Sequence, residues 1–334
     1  MSKSMRLEKL RYPSALAALI LIFSLCGAQA NAQAKNPPVA GNHIQCKHVS
    51  GNVYMLIGAG SNITVQVGKQ FIIVVDTGLP QYADEVVAAI RKISPLPIMF
   101  VVNTNSDPDN TGGNQTIAKA GIFPPNATMS QAREIEKDPS RVHLPGPAPL
   151  MATLNAVDSI ASPVGKMGAI TFGKEGFKLF NGEPVIFYAL PPAHTDGDAI
   201  VHFRTSDVVS AGDIFSTEAY PVIDSTRGGT IQGTIDALNL LLDLLVPEIR
   251  EEGGTQVIPN HGRLCDRNDV VVYRDTVTII RDRVQDLVKQ GKTLEQVIAA
   301  KPSMDYDGIY GAESGRQFIE AIYRDLTKGK TNKN

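Results

Sequence analysis

The chain has 334 residues, enough to bury one large hydrophobic core or two smaller ones. Hydrophobic residues make up 43 % and charged residues 20 %, a composition that excludes a disordered or fibrous protein. The formal net charge is −2 and no block of Lys or Arg stands out, so no nucleic-acid partner is expected.

Residues 1–32 have the layout of a secretory signal peptide. A basic segment precedes an apolar stretch at 14–27, and small-x-small cleavage sites follow at 28–30 and 30–32. The apolar stretch is shorter than the roughly 20 residues that a membrane-spanning helix needs, so we predict cleavage rather than an anchor. This pattern predicts a periplasmic or secreted protein that has no membrane contact after cleavage.

Two thiols remain in the chain after cleavage, because Cys26 is removed with the signal peptide. Cys46 lies on a predicted early strand, and Cys265 follows a polar motif in the second half. In an oxidising compartment two thiols can pair. The sequence leaves open whether Cys46 and Cys265 form a disulfide or are two separate buried thiols.

The first half of the chain predicts alternating strands and helices. A lead-in at 33–49 is followed by strands at 52–57, 63–67 and 71–75, a helix at 82–93 and a strand at 98–102. The continuous apolar run at 71–75 is typical of a strand that is covered on both faces. A polar stretch follows at 103–114. Residues 121–168 predict a long loop with short elements. Loops of that length inside a domain tend to be functional, so we predict that this one belongs to the active-site region.

The second half repeats the alternation. Strands are predicted at 185–190, 199–203 and 208–211, a helix at 231–245 and a strand at 256–259, followed by helices at 269–289, 294–300 and 316–326. No linker separates the halves. The pattern therefore predicts a single α/β domain over residues 50–330, with helices outside central sheets.

Four polar clusters each follow a predicted apolar strand. They lie at 103–114, 193–198, 212–213 and 260–262. Strand ends are where an α/β scaffold presents its functional residues. Because the clusters contain carboxylates, amides and imidazoles, the side chains that bind divalent metals, we expect a metal site there.

The order of these motifs resembles the metallo-β-lactamase superfamily. The matching residues are Asp76-Thr77-Gly78, the stretch 104–114, His194 to Asp198, Gly212-Asp213 and His261-Gly262. The resemblance implies a four-layered αββα sandwich and membership of an exported bacterial subgroup. It also implies a metal-dependent hydrolase with a small-molecule substrate of the amide, lactam, lactone or thioester type.

The metal motif departs from the family pattern. Where the family has three histidines in its first motif, this chain has Asn105, Asp107 and Asn110. Carried over, the resemblance implies two ligand sets that share Asp213. The first set is Asn105, Asp107, His194 and Asp213, and the second is Asp109, Asn110, His261 and Asp213.

Other roles are also implied by the resemblance. Asp109 would hold the attacking water and handle its proton as the catalytic residue. Asp76 would orient the ligands as a supporting group, and Asp198 would either orient His194 in the same way or cap the turn. Asn260 stands where the family has glycine, and because asparagine tolerates left-handed backbone we interpret that change as silent.

Amide and carboxylate oxygens are harder ligands than imidazole, which favours Mn²⁺, Fe²⁺ or Mg²⁺ relative to Zn²⁺. The cofactor expected is thus one or two divalent ions, and the sequence does not distinguish among these four metals. Two alternatives stay open: a catalytically silent binding or scaffold protein whose polar stretch is only a turn, and a domain with a structural Ca²⁺ or Mg²⁺ ion. The sequence does not predict an oligomeric state.

Overall fold

The computed structural model describes residues 43–121, 147–160, 170–249 and 253–328. The predicted signal peptide at 1–32, the first ten residues of the predicted lead-in and most of the predicted loop at 121–168 lie outside the described residues. No helix within the described ranges has the length and apolar character needed to cross a membrane.

The first sheet has seven strands in the order β1 to β7. Strands β1 to β4 pair antiparallel, and β4 to β7 pair parallel. The strands are β1 (Gln45–Ser50), β2 (Val53–Ile57), β3 (Ile63–Val67), β4 (Ile72–Val75), β5 (Ile98–Val102), β6 (Leu150–Thr153) and β7 (Ile170–Phe172). Strand β1 lies within the predicted lead-in, so the sheet begins before residue 50.

The second sheet has five strands in the order β12-β11-β10-β9-β8. All neighbours pair antiparallel except β11 and β12, which are parallel. The strands are β8 (Glu175–Phe180), β9 (Glu183–Ala189), β10 (Ala199–Phe203), β11 (Val208–Ser210) and β12 (Gln256–Ile258).

Helices flank both sheets. Those of the first half are α1 (Ala83–Ile93), α2 (Pro108–Thr111), α3 (Asn114–Lys119) and α4 (Leu154–Ser159). Those of the second half are α5 (Ile231–Leu244), α6 (Arg267–Lys289), α7 (Leu294–Ala299), α8 (Asp307–Tyr310) and α9 (Ala312–Thr327). Helix α6 begins at a capping box between Asp266 and Asp269, which satisfies backbone N–H groups at its first turn.

Side-chain alternation along the strands creates three buried layers. In β4, Ile73 and Val75 face the second sheet, whereas Ile72 and Val74 face α1 and α3. In β10, Val201 joins the core between the sheets, and Ile200 packs against the helices of the second half. The inner strands of each sheet are therefore buried on both faces, and the predicted αββα sandwich is confirmed.

Strand β8, which lies at the edge of the second sheet, was not predicted from the sequence. Its side chains Phe177 and Leu179 are exposed, so its sequence lacks the apolar pattern of a buried strand. The turn that follows, Asn181-Gly182, has positive φ angles at both residues, as a two-residue hairpin turn requires.

Cys46 and Cys265 are not paired with each other. Cys46 is exposed on β1, Cys265 is buried, and neither is bonded to another cysteine among the described residues. The disulfide alternative is not supported, and of the two thiols only Cys265 is buried as the other alternative expected.

Candidate functional site

The four polar clusters meet beyond the ends of β5, β9, β11 and β12. Backbone hydrogen bonds hold these loops: Ala199 N at the start of β10 donates to Thr104 O at 2.7 Å, and Asn62 N, between β2 and β3, donates to Asn260 O at 2.7 Å. The side chains of Asn105, Asp107, Asp109, Asn110, His194, Asp213 and His261 all take part in direct contacts within this site. The structure thus brings together every predicted metal ligand.

Asp76 forms hydrogen bonds that fix the start of the loop at 103–114. It lies just after β4 with φ of 60°, and its carboxylate accepts hydrogen bonds from Thr104 N at 2.9 Å and Thr104 Oγ1 at 2.8 Å. Burial raises the pKa of Asp76 well above its usual value, although the two hydrogen bonds oppose that shift. Asp76 therefore fixes the residue that precedes Asn105.

One group of donors that could hold a metal ion consists of Asp107, His194 and Asp213. His194 Nε2 lies 2.9 Å from Asp107 Oδ2. The other ring nitrogen, Nδ1, lies 2.8 Å from Val222 O, and since a carbonyl only accepts, Nδ1 carries a hydrogen. This bond directs Nε2 towards the carboxylates, the orientation that a metal-binding histidine needs.

A second group consists of Asp109, Asp213 and His261. His261 Nε2 lies 3.1 Å from Asp109 Oδ2 and 4.0 Å from Asp213 Oδ1. The side chains of Asp109 and His261 are 24 % and 36 % exposed, against 19 % and 6 % for Asp107 and His194. The second group is therefore the one that faces solvent.

Three side-chain amides surround the shared carboxylate. Asn105 and Asn110 both donate to Asp213 Oδ2 at 2.6 Å, and Asn260 donates to Asp213 Oδ1 at 2.5 Å. Asn105 Oδ1 in turn accepts from Asp107 N and from Asn110 Nδ2. The asparagines that replace family histidines thus form one connected network with Asp213.

Arg227 brings a permanent positive charge to the site. Its Nη1 lies 2.5 Å from Asp107 Oδ1 and 3.3 Å from Ser106 Oγ. Its Nε donates to Asp224 Oδ2 at 2.7 Å, and Asp224 also caps the 3₁₀ turn Ser225–Arg227. Three converging carboxylates repel one another unless a cation lies among them, and Arg227 is a cation that the protein itself supplies.

Ion pairs and burial together shift the pKa values of the acidic and basic groups in the site. Burial alone would lower the pKa of His194, but the hydrogen bond with Asp107 and the nearby carboxylates raise it to about 10. Burial alone would raise the pKa of Asp107, but His194 and Arg227 lower it to about 2. The hydrogen bond with Asp109 raises the pKa of His261, and burial raises the pKa of Asp213.

Asp198 forms hydrogen bonds within the turn before β10 and none with the His194 imidazole among the described residues. Its oxygens accept from Thr195 N and Thr195 Oγ1, both at 2.8 Å. Burial raises the pKa of Asp198 to about 6. It acts on His194 through its charge, whereas the direct partners of the ring are Val222 O and Asp107 Oδ2.

Two buried oxygens bear on whether the site fits a divalent ion. Asn110 Oδ1 and Asn260 Oδ1 are buried and accept no hydrogen bond from the part of the chain that the structure describes, while their nitrogens face Asp213. Rotating either amide by half a turn would put its oxygen beside the carboxylate, which is favourable only with a cation there. Unpaired carbonyl oxygens, carboxylates and imidazoles in one pocket fit a hard divalent ion.

The interpretation of Asn260 as a silent change was wrong. Asn260 does not have a positive φ, whereas Gly262 does, and the Asn260 amide reaches Asp213. Sequence analysis also missed Arg227, since it lies 120 residues from Asp107 in a polar turn without a motif. The only signal was the Asx-turn pattern of Asp224 to Gly229, which predicts a turn but no partner.

Comparisons with known proteins agree with this architecture. A family model described as the metallo-beta-lactamase superfamily matches residues 56–251, more than half of the chain. No curated protein sequence matches significantly. The structure resembles a metallo-beta-lactamase from Pontibacter korlensis, with TM-score 0.51 and 14 % identity over 70 % of this chain and 99 % of that one.

The structure also resembles the sec-alkylsulfatase Pisa1 from Pseudomonas sp., with TM-score 0.58 and 16 % identity over 84 % of this chain. A double mutant of that sulfatase matches with the same TM-score and 13 % identity over 87 % of this chain. This chain spans about half the length of the sulfatase, 50 % and 51 % in the two structures. At these identities the likeness concerns the fold alone.

Proposed function

The chain belongs to the metallo-beta-lactamase superfamily, and from that premise we propose that it is a metal-dependent hydrolase. The observation that carries the proposal is the pair of Asp/His groups that share Asp213 in one pocket. The residues that would hold one or two ions are Asn105, Asp107, His194, Asp109, Asn110, His261 and Asp213. Mn²⁺, Fe²⁺, Mg²⁺ and Zn²⁺ all remain compatible with this donor set.

When bound, a divalent ion would supply Lewis acidity and lower the pKa of a water molecule. The chain's own residues would position the reacting water. Asp109 is partly exposed and faces His261, so its carboxylate is placed to orient the attacking water and to accept its proton. His194 is held by Val222 O and contributes rigidity rather than proton transfer.

The substrate class we propose is a small molecule with an amide, lactam, lactone or thioester bond. Its support is family membership and a pocket whose charged groups converge at one place. The fold hosts many chemistries, so the substrate class is a proposal narrower than the family assignment.

A second function is favoured by one specific observation. Asp107 is paired with Arg227 and His194, Asp109 with His261, and Asp213 with three amides, so every ligand carboxylate has a partner within the protein. Such internal pairing would suit a metal-free binding or scaffold protein that kept the fold.

Metal analysis separates the two functions. Purified protein dialysed against Mn²⁺, Fe²⁺, Mg²⁺ or Zn²⁺ and freed of excess ion is expected to retain bound metal by elemental analysis. Asp109→Asn should lower hydrolysis of an ester or lactam reporter by roughly 100- to 10,000-fold, because the general base is lost. Asp286→Asn, on an exposed face of α6, is the matched control and should change nothing. No measurable ion with any of the four metals would favour the scaffold function.

We also propose that the protein is exported, with residues 1–32 removed as a signal peptide. The support is the basic, apolar and small-residue pattern of that segment. Intact-mass analysis of protein from its native host is expected to give a chain that starts near Asn31 or Gln33. A mass that still includes Met1 would contradict export by this route.

A further inference from the structure

The two donor groups differ in whether a cationic side chain of the protein already binds their carboxylate oxygens. Both oxygens of Asp107 are taken: Oδ1 by Arg227 Nη1 at 2.5 Å and Oδ2 by His194 Nε2 at 2.9 Å. A guanidinium is always charged in proteins and donates in a fixed fork. An ion between Asp107 and His194 would therefore have to displace a cation that is already bound.

Arg227 is firmly held where it lies. Asp224 accepts from its Nε at 2.7 Å, so two carboxylates bracket the guanidinium. Its backbone oxygen accepts from Asp196 N at 2.8 Å, which ties the turn to the segment that carries His194. The Arg227 side chain is about one-third exposed, so its stem and head are largely packed.

The second group has no such built-in cation. Within the described ranges, neither Asp109 nor Asp213 forms an ion pair with a Lys or Arg; their ionic partner is His261. Asp109 and His261 are also the more exposed pair. An ion from solvent could reach this group without displacing a permanent charge.

We infer that the site takes a single divalent ion, at Asp109, Asp213 and His261, and that the Arg227 guanidinium occupies the place of a second cation beside Asp107 and His194. The inference rests on the proposed metal-dependent function and narrows it from one or two ions to one. It also gives the Asp-for-His replacement at position 107 a reason, because a carboxylate pairs with a guanidinium and an imidazole does not.

The count of bound ions tests this directly. The full purified chain, stripped with a chelator and titrated with Mn²⁺ and, separately, Zn²⁺, is expected to bind one ion per chain by elemental analysis and calorimetry. Arg227→Leu is expected to bind two, since it frees Asp107 and keeps an apolar stem. Arg227→Lys keeps the charge and should bind one. Arg283→Leu, which breaks an exposed pair with Asp305, is the matched control and should bind one.

The location of the ion is tested by separate variants that leave Arg227 intact. His261→Gln is expected to lose the ion of the wild-type protein, whereas His194→Gln is expected to retain it. These two single variants decide where the wild-type ion binds even if Arg227→Leu does not fold. In a folded Arg227→Leu protein, adding His194→Gln should return the count from two to one.

The outcomes distinguish this inference from the proposed function. Two ions in the wild-type protein, or one ion that is lost in His194→Gln and kept in His261→Gln, would overturn the inference and leave the hydrolase proposal standing. A folded Arg227→Leu variant that still binds one ion would overturn the role of Arg227. No ion in the wild-type protein would overturn both.

Discussion

Replacing Asp213 with asparagine is expected to abolish divalent-ion binding and any hydrolysis that depends on it. Asp213 is the one residue that both donor groups share. The variant would also point a fourth amide at the nitrogens of Asn105, Asn110 and Asn260, which now donate to the carboxylate. We expect metal affinity to fall by more than about 100-fold, beyond the effect of removing a residue that only supports a ligand.

Stability should fall as well. Each buried amide that loses its acceptor costs about 1–3 kcal/mol, so the metal-free variant should unfold at lower urea concentration than metal-free wild type. Elemental analysis and urea unfolding measure the two effects separately. Asp286→Asn is again the control at an exposed position. If Asp213→Asn binds as many ions as the wild-type protein, Asp213 is not a metal ligand.

In chelator-treated protein, stability is expected to fall as the pH rises from about 6.5 to 10. The folded pKa of His194, about 10, lies above the ordinary value of 6.5. Its contribution is therefore complete below pH 6.5 and is lost as the pH rises through 10. At about 1.4 kcal/mol per pKa unit, this contribution is at most roughly 5 kcal/mol.

Asp107 contributes in the opposite direction. Its folded pKa, about 2, lies below the ordinary 3.8, so its contribution is complete above pH 3.8 and is lost as the pH falls through 2. The pair is thus fully stabilising between about pH 4 and 6.5. Urea unfolding at pH 6, 8 and 10 should show a shallower decline in His194→Gln than in wild type. His48→Gln, at an exposed histidine on β1, should keep the wild-type slope; equal slopes in all three proteins would contradict this account.

The framework of the fold could be predicted because it depends on apolar periodicity. Strand β4 is apolar throughout because helices cover one face and the second sheet the other, and this pattern is visible in the sequence. Strand β8 could not be found in the same way, since its exposed Phe177 and Leu179 do not line a buried face. Its Asn181-Gly182 turn was a usable signal that the periodicity analysis left aside.

The candidate site could be predicted as a set of residues but not as a set of contacts. The ordered motifs identified Asp107, His194 and Asp213, and these side chains do converge. The partner of Asp107 could not be deduced, because Arg227 reaches it from a 3₁₀ turn that lies 120 residues away in the sequence. Which amide nitrogen faces Asp213 also depends on tertiary contacts alone.

The packing around Gly229 has a consequence for how such a site can change during evolution. A Cβ at Gly229 would lie 2.2 Å from His194 O, so the backbone beside Arg227 is fixed against the segment that carries the imidazole. The main chain at position 227 is also tied to this segment, because Asp196 N donates to Arg227 O at 2.8 Å, a bond that does not involve the Arg227 side chain. A single substitution at 227 can therefore add or remove the guanidinium while this backbone bond remains, whereas a side chain at 229 would collide with His194 O.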